Sequence, residues 1–349
     1  MAHANEPELI VRHGPADRWR ARARDGVRID PSGLTRPVSA EAVAAAHQEV
    51  VRVRERLSPI ADWVKIEHPE GEALYVKGDE GLLQRAAPDA PIGAVIAAHP
   101  ADLTDILHGV LEPRRALFFG QIKVGGRVSL AIRFCDVLSG CIQNLPDLAA
   151  ARLPKPTKDR AQAKADLDEY GYCLVAGALS PAQVRALRAR VVEQAAAEAE
   201  AGINIPDGGV AGANQRVWNL INKGRVFEDL LLNPVIEEFT SHVLGEHAIL
   251  SSISANIAGP GGEREIMHYD QMSIQPRPGD APLGVNVLFF LDDVCEENGG
   301  TRLMPGSHRP GIAPFDPYSS EGTVAAEGPA GTALILDSLF WHGTGANRT

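Results

Sequence analysis

Residues 266–275 read IMHYDQMSIQ. His268 and Asp270 stand two apart in a run that otherwise has the apolar character of a strand. Residues i and i+2 of a strand project from the same face, roughly 7 Å apart along the backbone. Both side chains can therefore converge on one ion, provided a third ligand arrives from elsewhere in the chain. His342 qualifies. It lies in ALILDSLFWHGTGAN (333–347), where an apolar strand gives way to small, turn-forming residues. Two imidazoles and a carboxylate on one face of a six-coordinate metal leave three positions open, the facial triad of non-haem Fe(II) chemistry. On the HxD pair alone, a surface histidine beside a surface aspartate is the better reading.

The rest of the chain sets bounds on that chemistry. Its 349 residues suffice for two domains, and 44% hydrophobic with 23% charged residues is ordinary for a globular protein. The net charge of −11 argues against a nucleic-acid partner. No apolar run approaches the ~18 residues of a membrane span. The start, MAHANEPELIVRHG, does not read as a secretory leader. Cys135, Cys141, Cys173 and Cys295 show no CxxC spacing, which suggests a reducing, cytoplasmic setting and neither a zinc knuckle nor a disulfide framework. His3, His13 and His47 read as surface residues. The oligomeric state is not legible.

Composition divides the chain at residues 146–163, LPDLAAARLPKPTKDRAQ, whose prolines and mixed charge predict a linker. Before it, residues 39–57 predict a helix capped by Ser39. ADLTDILHGVLEP predicts another, with Leu103, Ile106, Leu107 and Val110 on one face. ALFFGQIKVGGRVSLAIRF predicts a hairpin turning at Gly125–Gly126. After the linker, YCLVAG predicts a short strand. Ser180, Pro181 and Gln183 mark a capping box, followed by a buried stripe of Val184, Leu187 and Val191. IPDGGVAGANQ (205–215) reads as a mobile glycine-rich loop. Many short strands beyond residue 248 complete an α+β domain built on a sandwich or barrel.

Four ordered segments resemble the phytanoyl-CoA dioxygenase family of Fe(II)/2-oxoglutarate oxygenases: EYGYCLVAGALSPAQVRALR, HYDQ, LFFLDDVCEENGGTRLMPGSHRPG and FWHGTGAN, spanning about residues 165–349. The resemblance implies a double-stranded β-helix (jelly roll) with a helical cap. It implies Fe(II) held by His268, Asp270 and His342, with 2-oxoglutarate as cofactor and O2 as co-substrate. It further implies hydroxylation of an unactivated C–H in a small-molecule, lipid-like or natural-product substrate, with release of succinate and CO2. Asp270 stands where related halogenases carry a small residue, so oxidation without halide is implied. His308 in PGSH is expected near the surface with no metal role, after a structural turn at Pro305–Ser307.

Family members carry an arginine several residues past the distal histidine to fork onto the far carboxylate of 2-oxoglutarate. Here Arg348 is the residue available. The expectation is that the domain is truncated at this end, or that Arg348 serves. Asn286, on a strand beside the metal, can donate to the keto acid, position water, or simply be polar. Gln271 should point away from Asp270 by strand alternation and support packing or a substrate lid. Arg216, Trp218 and Asn219 can face substrate, with packing of Trp218 the competing explanation.

Residues 97–138 resemble the C-terminal half of sterol carrier protein-2-like domains: a helix ending HGVLEP, then ALFFGQIKVGG. The resemblance is poor before residue 60. It implies that residues 1–145 form a smaller α/β domain enclosing an apolar tunnel, which presents a hydrophobic or carrier-bound substrate to residues 164–349. Packing or dimer formation is the alternative role. A lipid or acyl carrier with a catalytically impaired oxygenase domain is the competing function.

Overall fold

The computed structural model describes residues 38–69, 72–149, 151–206, 213–274 and 281–349. His3, His13 and residues 207–212 of the glycine-rich stretch lie outside the described residues. The chain divides into two compact units. The first runs to Asn144 and takes in Phe315–Pro317; the second comprises Leu145–Pro314 and Tyr318–Thr349. Among the described residues no helix is long and apolar enough to cross a membrane.

The first unit is a mixed five-stranded sheet with helices. Its elements are α1 (Ala40–Arg52), β1 (Trp63–Glu67), β2 (Leu74–Lys77), β3 (Leu82–Gln84), β4 (Ile92–Ala98), α2 (Pro100–Leu107), α3 (Pro113–Phe118), β5 (Ile122–Gly126) and α4 (Val128–Ser139). The strand order is β3-β2-β1-β4-β5, with β1 and β4 parallel and the other neighbours antiparallel. Ser39 caps α1, its hydroxyl accepting from the Ala42 amide at 3.1 Å.

The hairpin expected at Gly125–Gly126 is not formed. Gly126, at φ 69°, ends β5, and the chain enters α4 directly. Val128, Ala131, Ile132, Cys135 and Leu138 are all buried, and they recur at helical spacing. Over a few residues that pattern passes for alternation; over twelve it is one helical stripe.

The second unit contains α5 (Arg160–Tyr170), β6 (Tyr172–Val175), α6 (Pro181–Glu200), β7 (Ile205–Pro206), β8 (Asn214–Val217), α7 (Arg225–Leu231), α8 (Pro234–Leu244), β9 (Ala255–Ala258), β10 (Val285–Phe289), β11 (Arg302–Leu303), β12 (Val324–Ala325), β13 (Ala333–Asp337) and β14 (His342–Gly343). Three three-stranded sheets result, ordered β10-β13-β6, β12-β11-β14 and β7-β8-β9. The expected linker is partly structured. Thr157 bridges Val175, and Asp159 caps α5 by accepting from the Ala161 and Gln162 amides.

The sheet β10-β13-β6 is buried on both faces. Cys173, Val175, Ala333 and Ile335 pack against Ala163 and Leu167 of α5 and Val235 and Phe239 of α8. The alternate residues, Tyr172, Leu174, Leu334 and Leu336, pack against Leu303, Ala326 and Phe340. Strand alternation thus sends one set to the helices and the other toward the second sheet. The capping box of α6 is present, with both the Ser180 and Gln183 bonds made, and Val184, Leu187 and Val191 are buried as expected. A mixed helix-and-sheet unit results, with β14 leading into the site.

Candidate metal centre

The site begins with one backbone pair. His268 and His342 face each other across an antiparallel bridge, each amide donating to the other's carbonyl at 2.8 Å. Leu303 of β11 pairs with His342 on its other side. Directly opposed residues on neighbouring strands project from the same face of the sheet. The two rings accordingly stand 4.6 Å apart between centroids, tilted by 48°.

Each ring is oriented by a carbonyl. His268 Nδ1 lies 2.9 Å from the Ile266 oxygen, and His342 Nδ1 lies 2.9 Å from the Phe340 oxygen. A carbonyl only accepts, so Nδ1 carries the proton in both rings, and Nε2 presents its lone pair. Both Nε2 atoms lie 3.9 Å from Asp270 Oδ1. Asp270 Oδ2 accepts a hydrogen bond from Asn286 Nδ2. Carboxylate orientation is therefore supplied by β10.

The three ligand-type atoms lie within 4.8 Å of one another, the only such group of three among the described residues. Atoms this close can share one ion at the distances of about 2.0–2.2 Å usual for imidazole and carboxylate ligands. The donor set fits a divalent iron: two neutral nitrogens, one anionic oxygen, all from one side. Burial is the main influence pushing the His342 imidazole below its ordinary pKa. Asp270 opposes it, while His268 and Arg216 add to it. His342 is thereby kept neutral and available as a ligand.

Asp270 is placed differently from the expectation. It opens a 3-10 turn, Asp270–Ser273, so strand alternation does not govern its neighbour. Gln271 is buried by a turn, with three partners. Its Oε1 accepts from the Leu283 amide at 2.9 Å and from Ser338 Oγ at 2.7 Å, and its Nε2 donates to the Ala281 carbonyl at 3.0 Å. It ties residues 281–283 to Ser338, a packing role. His308 is half-buried, where a surface position was expected. Its Nε2 lies 3.3 Å from the Asp168 carbonyl. The Pro305–Ser307 turn does form; Ser307 Oγ accepts from the Trp341 amide at 2.9 Å, one residue before the ligand strand.

Arg216 lies beside the centre. Its guanidinium is 3.8 Å from Glu265 Oε1 and sits 5.6 Å from the Trp218 ring centroid. Asn219 is exposed at φ 55°, a conformation asparagine tolerates, and it opens the 3-10 turn Leu220–Asn222. Arg348 is exposed, its amide donating to the Glu297 carbonyl at 2.8 Å. Its charge acts on Glu297 and Arg302. Three polar residues near the candidate ligands were not singled out in the sequence, although Thr344 stands within FWHGTGAN. Glu265 Oε2 accepts from Thr344 Oγ1 at 2.6 Å, and Thr344 Oγ1 accepts from Asn256 Nδ2 at 2.7 Å. The available signal was position: Thr344 stands two after His342, one residue past β14.

Dioxygenase af480 of Aspergillus fumigatus is 32% identical over 202 residues, covering 55% of this chain and 63% of its own length. The Fe(II)/2-oxoglutarate-dependent dioxygenase nvfF of Aspergillus novofumigatus is 31% identical over 144 residues, 39% of this chain and 47% of its own. The chain thus spans less than two thirds of the length of either relative. The non-heme alpha-ketoglutarate-dependent carbocyclase SnoK from nogalamycin biosynthesis aligns over 56% of this chain and 82% of its own, at 20% identity and a TM-score of 0.46. The profile of the phytanoyl-CoA dioxygenase (PhyH) family matches residues 167–349, more than half of the chain. The chain belongs to the phytanoyl-CoA dioxygenase family.

Proposed function

We propose that the second unit is an Fe(II)- and 2-oxoglutarate-dependent oxygenase that hydroxylates an unactivated C–H of a small, lipid-like or natural-product substrate. The observation that carries this reading is the convergence of His268 Nε2, His342 Nε2 and Asp270 Oδ1 from one side. Iron and the keto acid, when bound, supply the oxidising chemistry, consuming O2 and yielding succinate and CO2. The chain's own residues prepare that step. His268 and His342 offer lone pairs whose direction is set by backbone carbonyls. Asp270 contributes the negative charge and is held by Asn286. The buried strand residues around β14 keep water from one side of the centre. No side chain here is required as a general acid or base. The two-sided burial of β10-β13-β6, facing β11 and β12, supports a double-stranded β-helix scaffold with α5 and α8 as its helical cover.

Two cations are available for the far carboxylate of 2-oxoglutarate. Arg348 is the one nearest in sequence to the distal histidine. Arg216 is the one whose charge is felt at His342. Replacing each by Gln and measuring KM for 2-oxoglutarate separates them: the anchor's loss raises KM strongly, the bystander's does not. The principal test is succinate release from 2-oxoglutarate by the full chain with Fe(II) and O2, against an Asp270→Ala control. Equal turnover in the two proteins refutes the reading. No turnover in either, across a panel of substrates, favours a carrier with an impaired oxygenase domain.

For the first unit, a sterol-carrier-like module is supported by a local pattern. Gly109 at φ 70° ends the turn after α2, Glu112 caps α3, Pro113 is the first residue of α3, and β5 follows. Calorimetry of the full chain with fatty acyl ligands tests it, and absence of binding removes the presentation role.

A further inference from the structure

The first unit contains a second pair of histidines that the oxygenase reading does not use. His47 lies on the buried face of α1, and His68 follows the last residue of β1; each is 6% exposed. The rings stand 5.1 Å apart between centroids, tilted by 35°. His68 Nδ1 lies 2.8 Å from the Ala98 carbonyl at the end of β4, so it holds the proton and Nε2 presents a lone pair. His47 Nε2 and His68 Nε2 are both buried with no hydrogen-bond partner. A buried polar atom left unmatched costs about 1–3 kcal/mol, so two together call for an occupant.

Geometry indicates what kind. With a metal–nitrogen distance of about 2.0–2.1 Å and a ring centre about 1.1 Å further back, two imidazoles on a tetrahedral ion hold their centroids about 5.2 Å apart. At the right angles of an octahedral ion the same arithmetic yields about 4.5 Å. The His268–His342 pair, at 4.6 Å, has the octahedral spacing, and the His47–His68 pair, at 5.1 Å, has the tetrahedral one. The tautomer of His68 is set by a carbonyl in the same way as those of His268 and His342.

We infer that His47 and His68 form a second metal site, one that takes a tetrahedral divalent ion of the zinc class and ties α1 to the C-terminal ends of the parallel strands β1 and β4. Among the described residues only the triad brings three ligand-type groups within 4.8 Å, so this site has two protein ligands in place. Glu72 is the carboxylate in electrostatic range of His47. Its Oε2 accepts from Arg85 Nη1 at 2.6 Å, and the Arg85 cation acts on His47 in the opposite sense. Burial pushes both imidazoles below their ordinary pKa, His47 to about 4, which keeps their lone pairs available at neutral pH.

The test uses the full chain with the triad disabled by Asp270→Ala and His342→Ala, stripped of metal and titrated with Co(II), then Zn(II). The expected result is one equivalent of cobalt with the intense visible absorption of tetrahedral coordination, displaced by zinc. His47→Asn and His68→Gln, made separately in that background and checked for folding by circular dichroism, should each weaken uptake at least tenfold. Zinc should raise the thermal midpoint of the triad-disabled protein and leave that of its His47→Asn variant unchanged. Absence of cobalt uptake overturns the inference, since the two nitrogens then merely share a water. Uptake that persists undiminished in whichever histidine variant folds overturns it as well.

Discussion

Two polar constellations, one in each unit, show how the same chemical vocabulary serves opposite ends. In the first unit Arg114, 1% exposed, forks onto Asp136 with two bonds of 2.8 Å, and its Nη1 also lies 3.1 Å from Glu112. Donors and acceptors there are turned on one another, and the cluster is closed. In the second unit His268, His342 and Asp270 spend their outer atoms on Ile266, Phe340 and Asn286 and turn the remaining ones to a common point. The first arrangement specifies a packing; the second prepares for a ligand. Burial alone does not distinguish them. The direction of the remaining lone pairs does.

That contrast can be broken or sharpened by substitution. Arg114→Ala should be the most damaging, because it strands Asp136 without its partner; about 3–5 kcal/mol of stability should be lost in denaturant melts. Arg114→Met with Asp136→Leu should recover much of that loss, and neither variant should alter iron binding by the second unit. His342→Ala should do the reverse. It should weaken Fe(II) binding by at least about a hundredfold in calorimetry, with a far smaller change in the melt of the metal-free protein. Asn286→Ala should weaken Fe(II) by about 10–100-fold, since Asp270 loses the bond that orients it.

Acid should act on the first unit through His47, whose folded pKa of about 4 lies below the ordinary imidazole value. The unfolded chain then binds the extra proton. Stability in metal-free protein is complete well above pH 6.5 and declines by ~3 kcal/mol as pH falls to 4 through His47, a slope that His47→Gln should reduce, with buried His68 adding in the same direction. Ser180→Ala, removing one cap bond of α6, should cost only about 1 kcal/mol and leave both constellations intact.

What was legible in the sequence follows from the range of the forces involved. The start of α6 was readable because a capping box is written within four residues, Ser180 to Gln183. The candidate ligands His268, Asp270 and His342, which the structure brings together, stood out because their residue types are rare in apolar strands and stand in family-like strings. α4 was not, because Val128–Ile132 satisfies both a strand and a helix pattern until Cys135 and Leu138 are counted. Gln271 packs as one of its two expected roles, but through the 3-10 turn that Asp270 opens and not through strand alternation. His47 was taken for a surface residue because nothing near it in sequence announces His68 or Ala98. Glu265, Thr344 and Asn256 were missed for the same reason: their bonds join segments far apart along the chain.

The mutual amide–carbonyl bonds between His268 and His342 have a consequence for engineering. The distance between the two imidazoles is set by a local ladder rung, not by the intervening chain. Grafted loops between residues 274 and 332 that leave residues 281–283, β10, β11, β12 and the Pro305–Ser307 turn intact should be tolerated by the ligand geometry. A single residue added between Phe340 and His342 should not: it would rotate the imidazole to the opposite side of the ribbon. Variation in what the site accepts can therefore be sought in long replacements at a distance, while the shortest edit close by would abolish the centre.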